Sequence, residues 1–82
     1  MKEKVYWVAG MQLKGVSEEG HEVIMDAKVE SGGENKGASP KELVLQGLAG
    51  CTMMDVVSIL RKMRELPQTL SVEVEATQTE EH

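Results

Sequence analysis

The fold is decided by the stretch Ser39-Pro40-Lys41-Glu42-Leu43-Val44-Leu45-Gln46-Gly47-Leu48-Ala49-Gly50-Cys51-Thr52-Met53-Met54. It opens as a helix start. The Ser39 hydroxyl can accept a hydrogen bond from the amide of Glu42, and the Glu42 side chain can reach back to the amide of Ser39. Pro40 suits the first helical position, since it lacks only an amide that would have no partner inside the helix.

Apolar residues continue at helical spacing as far as Met63, and Pro67 stops the pattern. The sequence therefore predicts one long helix over residues 39–66. Its first half is apolar nearly all round, which is typical of a mostly buried helix. This helix carries the only cysteine of the chain, Cys51.

Small residues follow one another along this helix, and two of them are glycines, Gly47 and Gly50. Because a glycine inside a helix costs up to about 1 kcal/mol relative to alanine, two glycines indicate a close packing contact. We expect the same helix of a second copy to cross here. The predicted homodimer contact consists of Gly47, Gly50, Cys51 and Met54.

The rest of the chain alternates apolar and polar residues as strands do. One strand is predicted over residues 4–13 and a second over residues 22–29, joined by a polar turn at residues 17–20. A glycine-rich flexible loop (residues 31–37) leads to the helix, and a last strand is predicted over residues 70–76. The expected fold is α+β, with the order β-β-α-β in a single domain of residues 1–82.

Composition limits the possible functions. A chain of 82 residues with one cysteine cannot form an internal disulfide, so a partner subunit is the expected source of extra stability. Two histidines and one cysteine match no zinc spacing, and no metal or cofactor is expected. The net charge of −5 argues against nucleic acid, and we find no apolar run of the ~20 residues that a membrane span needs. The free thiol fits a reducing cytoplasm.

Residues 39–57 resemble the central helix of the OsmC/Ohr family of hydroperoxide-resistance proteins. The shared pattern is a Pro-x-Glu-Leu helix start, then apolar and small residues, then Cys51 followed by Thr52 and, three residues later, Asp55. The flanks agree: a tryptophan in the first strand, Val-Ile-Met-Asp in the second and an acidic strand at the end. The resemblance extends over essentially the whole chain.

The resemblance implies an intertwined homodimer with long central helices packed together. It also implies that Cys51 is a peroxidatic thiol that reduces an organic hydroperoxide to the alcohol. In the family, a second cysteine in the C-terminal half then forms a disulfide, and a dithiol reductant reopens it. An arginine and a glutamate stabilise the thiolate.

The chain departs from that pattern in three respects. It stops where family members continue, so that it has no resolving cysteine, and no arginine precedes Cys51. The third respect concerns Glu42, the candidate for the family's glutamate. Glu42 lies nine positions before Cys51, which is about 180° away on a helix, so it is better explained as a helix cap. Lys14 or Lys28 of a partner subunit is a possible replacement for the arginine.

Two hypotheses remain open. The first is a thiol peroxidase in which Cys51 attacks the peroxide and an external thiol resolves the sulfenic acid. The second is a catalytically inactive, truncated dimeric remnant, or a small-molecule binding module, in which Cys51 is a packing residue. Asp55, one turn after Cys51, favours the second because a nearby carboxylate disfavours a thiolate.

Overall fold

The computed structural model describes residues 1–77 and has the predicted α+β architecture. Three strands, β1 (Glu3–Ala9), β2 (Gln12–Ser17) and β3 (Glu22–Met25), precede a short 3₁₀ helix at Val29–Ser31 and the long helix α1 at Pro40–Lys62. The chain forms two compact units, Met1–Leu43 and Val44–His82. The first unit contains the sheet and the second contains most of the helix.

The sheet is antiparallel with the order β1-β2-β3. The prediction of one strand over residues 4–13 is wrong, because the chain turns back at Gly10, whose φ of 56° is in the left-handed region that favours glycine. The Trp7 indole Nε1 donates a hydrogen bond to the Gly10 carbonyl oxygen at 2.8 Å and holds this turn. Two shorter strands that pair with each other therefore replace the single predicted strand.

The second turn lies where the sequence predicts it. The Gly20 amide donates to the Ser17 carbonyl oxygen at 2.9 Å, and β3 pairs with β2 in the register Leu13↔Met25. The predicted extension of this strand to residue 29 is wrong, since β3 ends at Met25. The chain leaves the sheet there because the next residue, Asp26, organises a loop.

Asp26 is 4% exposed, and its carboxylate closes this loop. Its Oδ1 accepts a hydrogen bond from the Ala27 amide at 2.7 Å, and its Oδ2 accepts from the amides of Glu34 at 3.3 Å and Lys36 at 3.2 Å. The Asp26 amide in turn donates to the Ala38 carbonyl oxygen at 3.1 Å. The segment predicted as a flexible loop is therefore held by hydrogen bonds against the end of β3.

Two glycines of this loop are required by close backbone contacts. A Cβ on Gly33 would overlap the Ala27 carbonyl group and lie 2.7 Å from Asp26 Oδ1. A Cβ on Gly37 would lie 2.5 Å from the Ile24 carbonyl oxygen. Separations below 3.0 Å force the backbone to shift, so the glycines allow the loop to pack against β3.

The start of α1 matches the predicted cap. Ser39 Oγ accepts a hydrogen bond from the Glu42 amide at 3.3 Å, and Pro40 occupies the first helical position. The reciprocal half of the capping box is not formed, because within residues 1–77 no hydrogen bond joins the Glu42 carboxylate to the Ser39 amide. The Ser39 hydroxyl therefore provides the side-chain cap.

The helix ends at Lys62, and not near residue 66 as predicted. Arg64 adopts the left-handed region at φ 58°, its amide donates to the Arg61 carbonyl oxygen, and the Glu65 amide donates to the Leu60 carbonyl oxygen at 2.9 Å. This pair of bonds is a Schellman motif, which usually places glycine at the left-handed position. The sequence prediction failed here because an arginine occupies that position.

Two further expectations concern the second unit. None of the helix residues 40–62 is buried in the single chain, so the burial that their pattern predicts stays a prediction for the helix packed against a second copy. The pattern reports apolarity, whereas burial also requires a surface that covers the helix. Residues 70–76, predicted as a strand, belong to no strand or helix in the described chain, so the order β-β-α-β is replaced by three strands and a helix.

The apolarity of α1 also corrects the expectation about membrane-length segments. Within the described residues, this one helix is long and apolar enough, by length and composition, to cross a membrane, with a mean hydropathy of 1.7 over 18 residues. The reason is that Asp55 is the only charged residue between Glu42 and Arg61. The core helix of a soluble protein has the same properties, so this finding by itself is weak evidence for a membrane.

Candidate functional site

Cys51 lies in the middle of α1 as a free, exposed thiol. The hypothesis that Cys51 is a packing residue places it against a second copy of the helix, and it stays a prediction. The neighbouring Thr52 hydroxyl donates to the Leu48 carbonyl oxygen at 3.4 Å and is therefore turned towards the helix backbone.

The side of α1 around Cys51 is apolar and exposed. We call it the cysteine face, and at 100° per residue it covers an arc of about 120°. Its members are all exposed: Val44, Gly47, Leu48, Cys51 and Met54 are apolar or small, and the acidic Asp55, one turn after the thiol, lies within the same arc. Leu48 is 64% exposed and Met54 is 77% exposed, so the thiol lies between two large accessible apolar side chains.

The four residues of the predicted dimer contact do not all lie together. Gly47, Cys51 and Met54 belong to the cysteine face, whereas Gly50 is half-buried. Five of the six other half-buried helix residues lie within about 100° of it around the helix axis, and the sixth, Leu45, lies further round: the five are Leu43, Ala49, Met53, Val57 and Leu60. A Cβ built on Gly47 meets nothing within 4 Å, so the surface beside the thiol is open at this position.

The cysteine face contains no cation that could stabilise a thiolate. Within residues 1–77 the ion pairs are Lys14–Glu22 at 3.8 Å and Lys36–Glu34 at 3.1 Å, and neither involves the helix. Arg61, ten residues after Cys51, lies about 15 Å further along the helix axis. A positive group for this thiol must therefore come from outside the helix.

Glu42 lies in the first turn of α1, far from the thiol. Nine residues of helix separate it from Cys51, which corresponds to about 13 Å along the axis and about 180° around it. An acidic side chain in the first turn interacts favourably with the positive end of the helix dipole. The position of Glu42 therefore fits a stabilising role at the helix start, and the two residues are not brought together within one chain.

The sheet unit contains its own open concavity of about 350 Å³. It lies over the odd-numbered face of the sheet, where Val5, Gly15 and Val23 are paired across the three strands. Among residues 1–77, no group of three His, Cys, Asp or Glu side chains is placed to hold a metal ion.

Asp26 is the residue whose importance sequence reasoning missed, since its place in an alternating strand predicts an exposed side chain. Burial raises the pKa of this carboxyl. Hydrogen bonds from the amides of Ala27, Lys36 and Glu34, together with the Lys36 charge, lower the pKa by more than burial raises it. The net result is a pKa below the ordinary 3.8. The available signal was an aspartate directly before a loop rich in glycine, where unpaired amides need an acceptor.

Comparison with known proteins places this helix and its thiol in context. The sequence profile of OsmC-like proteins matches residues 33–82, which include all of α1 and Cys51. This chain belongs to the OsmC-like protein family.

Two relatives show how far the similarity extends. Protein YhfA of Escherichia coli K12 is 45% identical over 65 residues, which cover 79% of this chain and 46% of YhfA, and YhfA of Shigella flexneri matches equally well. A solved structure from structural genomics is 42% identical with a TM-score of 0.66, and the match covers 78% of this chain and 46% of that one. The OsmC-like chain thus spans a little under half the length of the relatives it matches.

Proposed function

We propose that this OsmC-like chain reduces organic hydroperoxides through the Cys51 thiol, and that it does so as a homodimer in the cytoplasm. The observation that carries the proposal is the exposed free thiol in the middle of the apolar cysteine face. Membership of the OsmC-like family supports it. A reducing compartment keeps such a thiol available for reaction.

The surroundings of the thiol favour an organic peroxide over hydrogen peroxide. Val44 and Leu48 offer apolar surface to the hydrocarbon part of a substrate. Binding of that part removes apolar area from water, whereas hydrogen peroxide has no such group. The expected preference is therefore for alkyl or aryl hydroperoxides.

The reaction balances as follows. The Cys51 thiolate attacks the terminal peroxide oxygen, so that an S–O bond forms and the O–O bond breaks. The sulfur loses two electrons and becomes a sulfenic acid, while the leaving alkoxide takes a proton and departs as the alcohol. One external thiol then displaces water to form a mixed disulfide, and a second restores the Cys51 thiol.

Both the second thiol and the activating cation come from outside this helix in the proposed mechanism. Cys51 is the only cysteine among the 82 residues, so the resolving thiol belongs to a reductant. Lys14 already pairs with Glu22 at 3.8 Å, whereas Lys28 is exposed and forms no ion pair within residues 1–77. Lys28 of a second copy is therefore the better candidate for the cation.

The dimer is proposed to form where the cysteine faces of two helices meet. Gly47 leaves room for a second backbone, since nothing lies within 4 Å of the position of its Cβ. Met54 lies on the same side of Cys51 as Gly47 and would lose contact with water in that crossing, whereas Val44 and Leu48, on the other side of Cys51, would stay open to a substrate. Cys51 would then lie at the edge of the crossing, beside groups of the partner.

A specific observation favours a second candidate function, a non-enzymatic dimer or small-molecule binding module. The cysteine face has no cation, and Asp55 places a carboxylate one turn after the thiol. Negative charge at this distance disfavours a thiolate. In this alternative the apolar face binds a ligand or a partner, and Cys51 does not react.

Peroxide consumption separates the two functions. The purified chain is mixed with cumene hydroperoxide and a dithiol, beside Cys51→Ser, and peroxide loss is followed over time. We expect loss that requires Cys51 and is at least tenfold slower with hydrogen peroxide. Equal rates in the wild type and Cys51→Ser would reject the peroxidase.

A trapping experiment identifies the oxidised atom. Simple oxygen addition is ambiguous because the chain has six methionines, and Met54 is 77% exposed beside Cys51. Dimedone reacts with sulfenic acids and not with methionine sulfoxide, so a dimedone adduct on the Cys51 peptide is the expected product. Met54→Leu, which keeps the apolar face, should leave this adduct unchanged. Its absence in the wild type would support the binding module.

A further inference from the structure

Asp55 is the only charged residue in the middle of α1. Between Glu42 and Arg61 every other helix residue is uncharged, and the Asp55 side chain is exposed. Within residues 1–77 no ion pair involves Asp55. Its carboxylate is therefore a single negative charge on an otherwise uncharged stretch of helix, with no cation of the described chain to offset it.

This carboxylate lies close to the thiol. Asp55 follows Cys51 by four residues, and side chains at this spacing on a helix lie about 5–6 Å apart at their Cβ atoms. The other residues one turn away from Asp55 on the helix are uncharged: Thr52, Ser58 and Ile59. A molecule whose reactive atom touches the Cys51 sulfur therefore also comes close to the carboxylate.

Asp55 lies on the side of the thiol that stays open in the proposed dimer. Seen along the helix axis, Val44, Leu48 and Asp55 lie about 20°, 60° and 40° to one side of the thiol, and the proposed helix crossing lies on the other side. Along the axis, Val44 and Leu48 precede the thiol and Asp55 follows it. The open side therefore has an apolar end and an acidic end, with the sulfur between them.

A carboxylate in this position attracts positive groups and repels negative ones. At about 6 Å in water, the interaction of two unit charges changes a rate constant roughly threefold, and 0.1 M salt reduces this to roughly twofold. A cationic and an anionic reagent of the same shape therefore differ by the product of two such factors, which is about three- to fivefold in 0.1 M salt.

We propose that Asp55 determines which molecules react with Cys51, by favouring neutral and cationic ones over anionic ones. The choice of substrate rests on the proposed peroxidase: the preferred substrate is an apolar hydroperoxide without a carboxylate, and the preferred reductant is a neutral or cationic dithiol. The charge preference of the thiol itself does not depend on that activity, because it holds for any reagent that reaches the sulfur.

Thiol labelling measures this charge preference without a peroxide. Two methanethiosulfonates with permanent charges, the cationic trimethylammonioethyl and the anionic sulfonatoethyl compound, are reacted separately with the chain, whose only thiol is Cys51. The thiolate attacks the sulfur that carries the ethyl group, so that a new S–S bond forms and methanesulfinate leaves with the electron pair of the broken bond. The readout is the ratio of the two rates, since a change in thiolate content alters both rates equally.

We expect the ratio of cationic to anionic labelling to fall about three- to fivefold in Asp55→Asn at 0.1 M salt, and to be kept in Asp55→Glu, which retains the charge. In 1 M salt, where the screening length is about 3 Å, the wild-type and Asp55→Asn ratios should converge.

Glu65→Gln is the matched control, since it removes an equal charge at an exposed position. The Glu65 amide donates to the Leu60 carbonyl oxygen, and Leu60 lies about 13 Å beyond Cys51 along the helix axis. This control should change the ratio by less than about 1.5-fold. An equal fall in Glu65→Gln would overturn the proposal, as would an unchanged ratio in Asp55→Asn, which would also result if a cation of a second copy neutralised the carboxylate.

Peroxide kinetics separate the charge preference from the enzyme activity. Cumene hydroperoxide and its para-carboxylate differ by one negative charge, so the ratio of their kcat/KM values should fall about twofold in Asp55→Asn at 0.1 M salt. If neither peroxide is consumed but the labelling ratio depends on Asp55, the peroxidase is rejected and the charge preference stands. If both are consumed and their ratio is the same in the wild type and Asp55→Asn, Asp55 does not select the substrate.

Discussion

Asp26 is the residue that contributes most to local order in the sheet unit. Three backbone amides, those of Ala27, Glu34 and Lys36, donate to its carboxylate, and it is almost fully buried. Without that acceptor, the amides of a loop that follows β3 would need water or a different conformation. The loop fixes the chain at Ala38, just before the helix begins.

We predict that Asp26→Asn lowers the urea midpoint at pH 7. An asparagine side chain has one oxygen and one NH₂ group, so at least one amide would face a donor in place of an acceptor. Asp55→Asn, a change at an exposed aspartate of the helix, is the matched control and should leave the midpoint nearly unchanged. Equal midpoints in the wild type and Asp26→Asn would contradict the role of this carboxylate.

The same carboxylate predicts the acid response of the protein. The folded-state pKa of Asp26 is lower than 3.8, so its contribution to stability is complete above pH 3.8 and is lost as the pH falls through the folded-state value. The wild type should therefore lose stability below pH 3.8 more steeply than Asp26→Asn does. Parallel pH profiles of the unfolding midpoint in the two proteins would show that Asp26 does not carry this effect.

At the scale of elements, the ends of α1 are set by two different devices. Ser39 caps the start with a side-chain oxygen, whereas the end is a Schellman turn with Arg64 in the left-handed region. A side chain other than glycine pays about 1–2 kcal/mol for that conformation. The helix therefore stops at a position that costs stability in the present sequence.

We predict that Arg64→Gly is more stable than Arg64→Ala by about 1 kcal/mol, because glycine has no Cβ to strain the turn and only part of this gain is offset in the unfolded chain. Both variants remove the same charge, so their difference isolates the backbone conformation. Chemical denaturation of the two proteins measures it. A more stable Arg64→Ala would mean that Arg64 does not occupy the left-handed region in solution.

Replacing Gly47, the glycine of the cysteine face, tests whether two helices cross there, because a crossed and an isolated helix respond in opposite directions. In an uncrossed helix, Gly47→Ala should stabilise the chain by up to about 1 kcal/mol, since alanine is the better helix former and nothing lies within 4 Å of the added Cβ. If two helices cross at Gly47, the same change should weaken dimerisation. We predict the second result, measured by sedimentation equilibrium with Gln46→Ala as the control. Undiminished dimerisation in Gly47→Ala would reject the crossing.

At the scale of the whole molecule, the described chain leaves much apolar surface in water. Of the apolar residues, Met25 is buried at 8% exposed, whereas Val5, Trp7, Leu48 and Met54 all remain open. Exposed apolar surfaces of this extent are typical of interaction sites. The chain also spans a little under half the length of the relatives it matches, at 46% of YhfA.

We therefore predict that the thermal midpoint of this chain rises with protein concentration, because association that favours the folded state shifts unfolding by mass action. Thermal unfolding followed by circular dichroism over a hundredfold concentration range measures the effect. Cys51→Ser controls for disulfide-linked dimers and should show the same trend. A midpoint independent of concentration would contradict the proposed dimer.

The sequence alone determined the start of the helix, the turn at Gly20, the α+β class and the family, because these features depend on residues close together in the chain. A serine followed by proline and then glutamate specifies a helix start by hydrogen bonds within four residues. The position of Cys51 on the helix followed from the same pattern. These features depend on neighbours in the chain, and the sequence contains those neighbours.

Other features depended on contacts between distant residues, and only the tertiary structure decided them. The role of Asp26 depends on amides eight and ten residues away, and the end of α1 depends on a left-handed arginine. The exposure of Cys51 and the lack of a strand partner for residues 70–76 depend on which surfaces meet. Periodicity in a sequence reports which side chains are apolar, but the packing of separate segments determines what covers them.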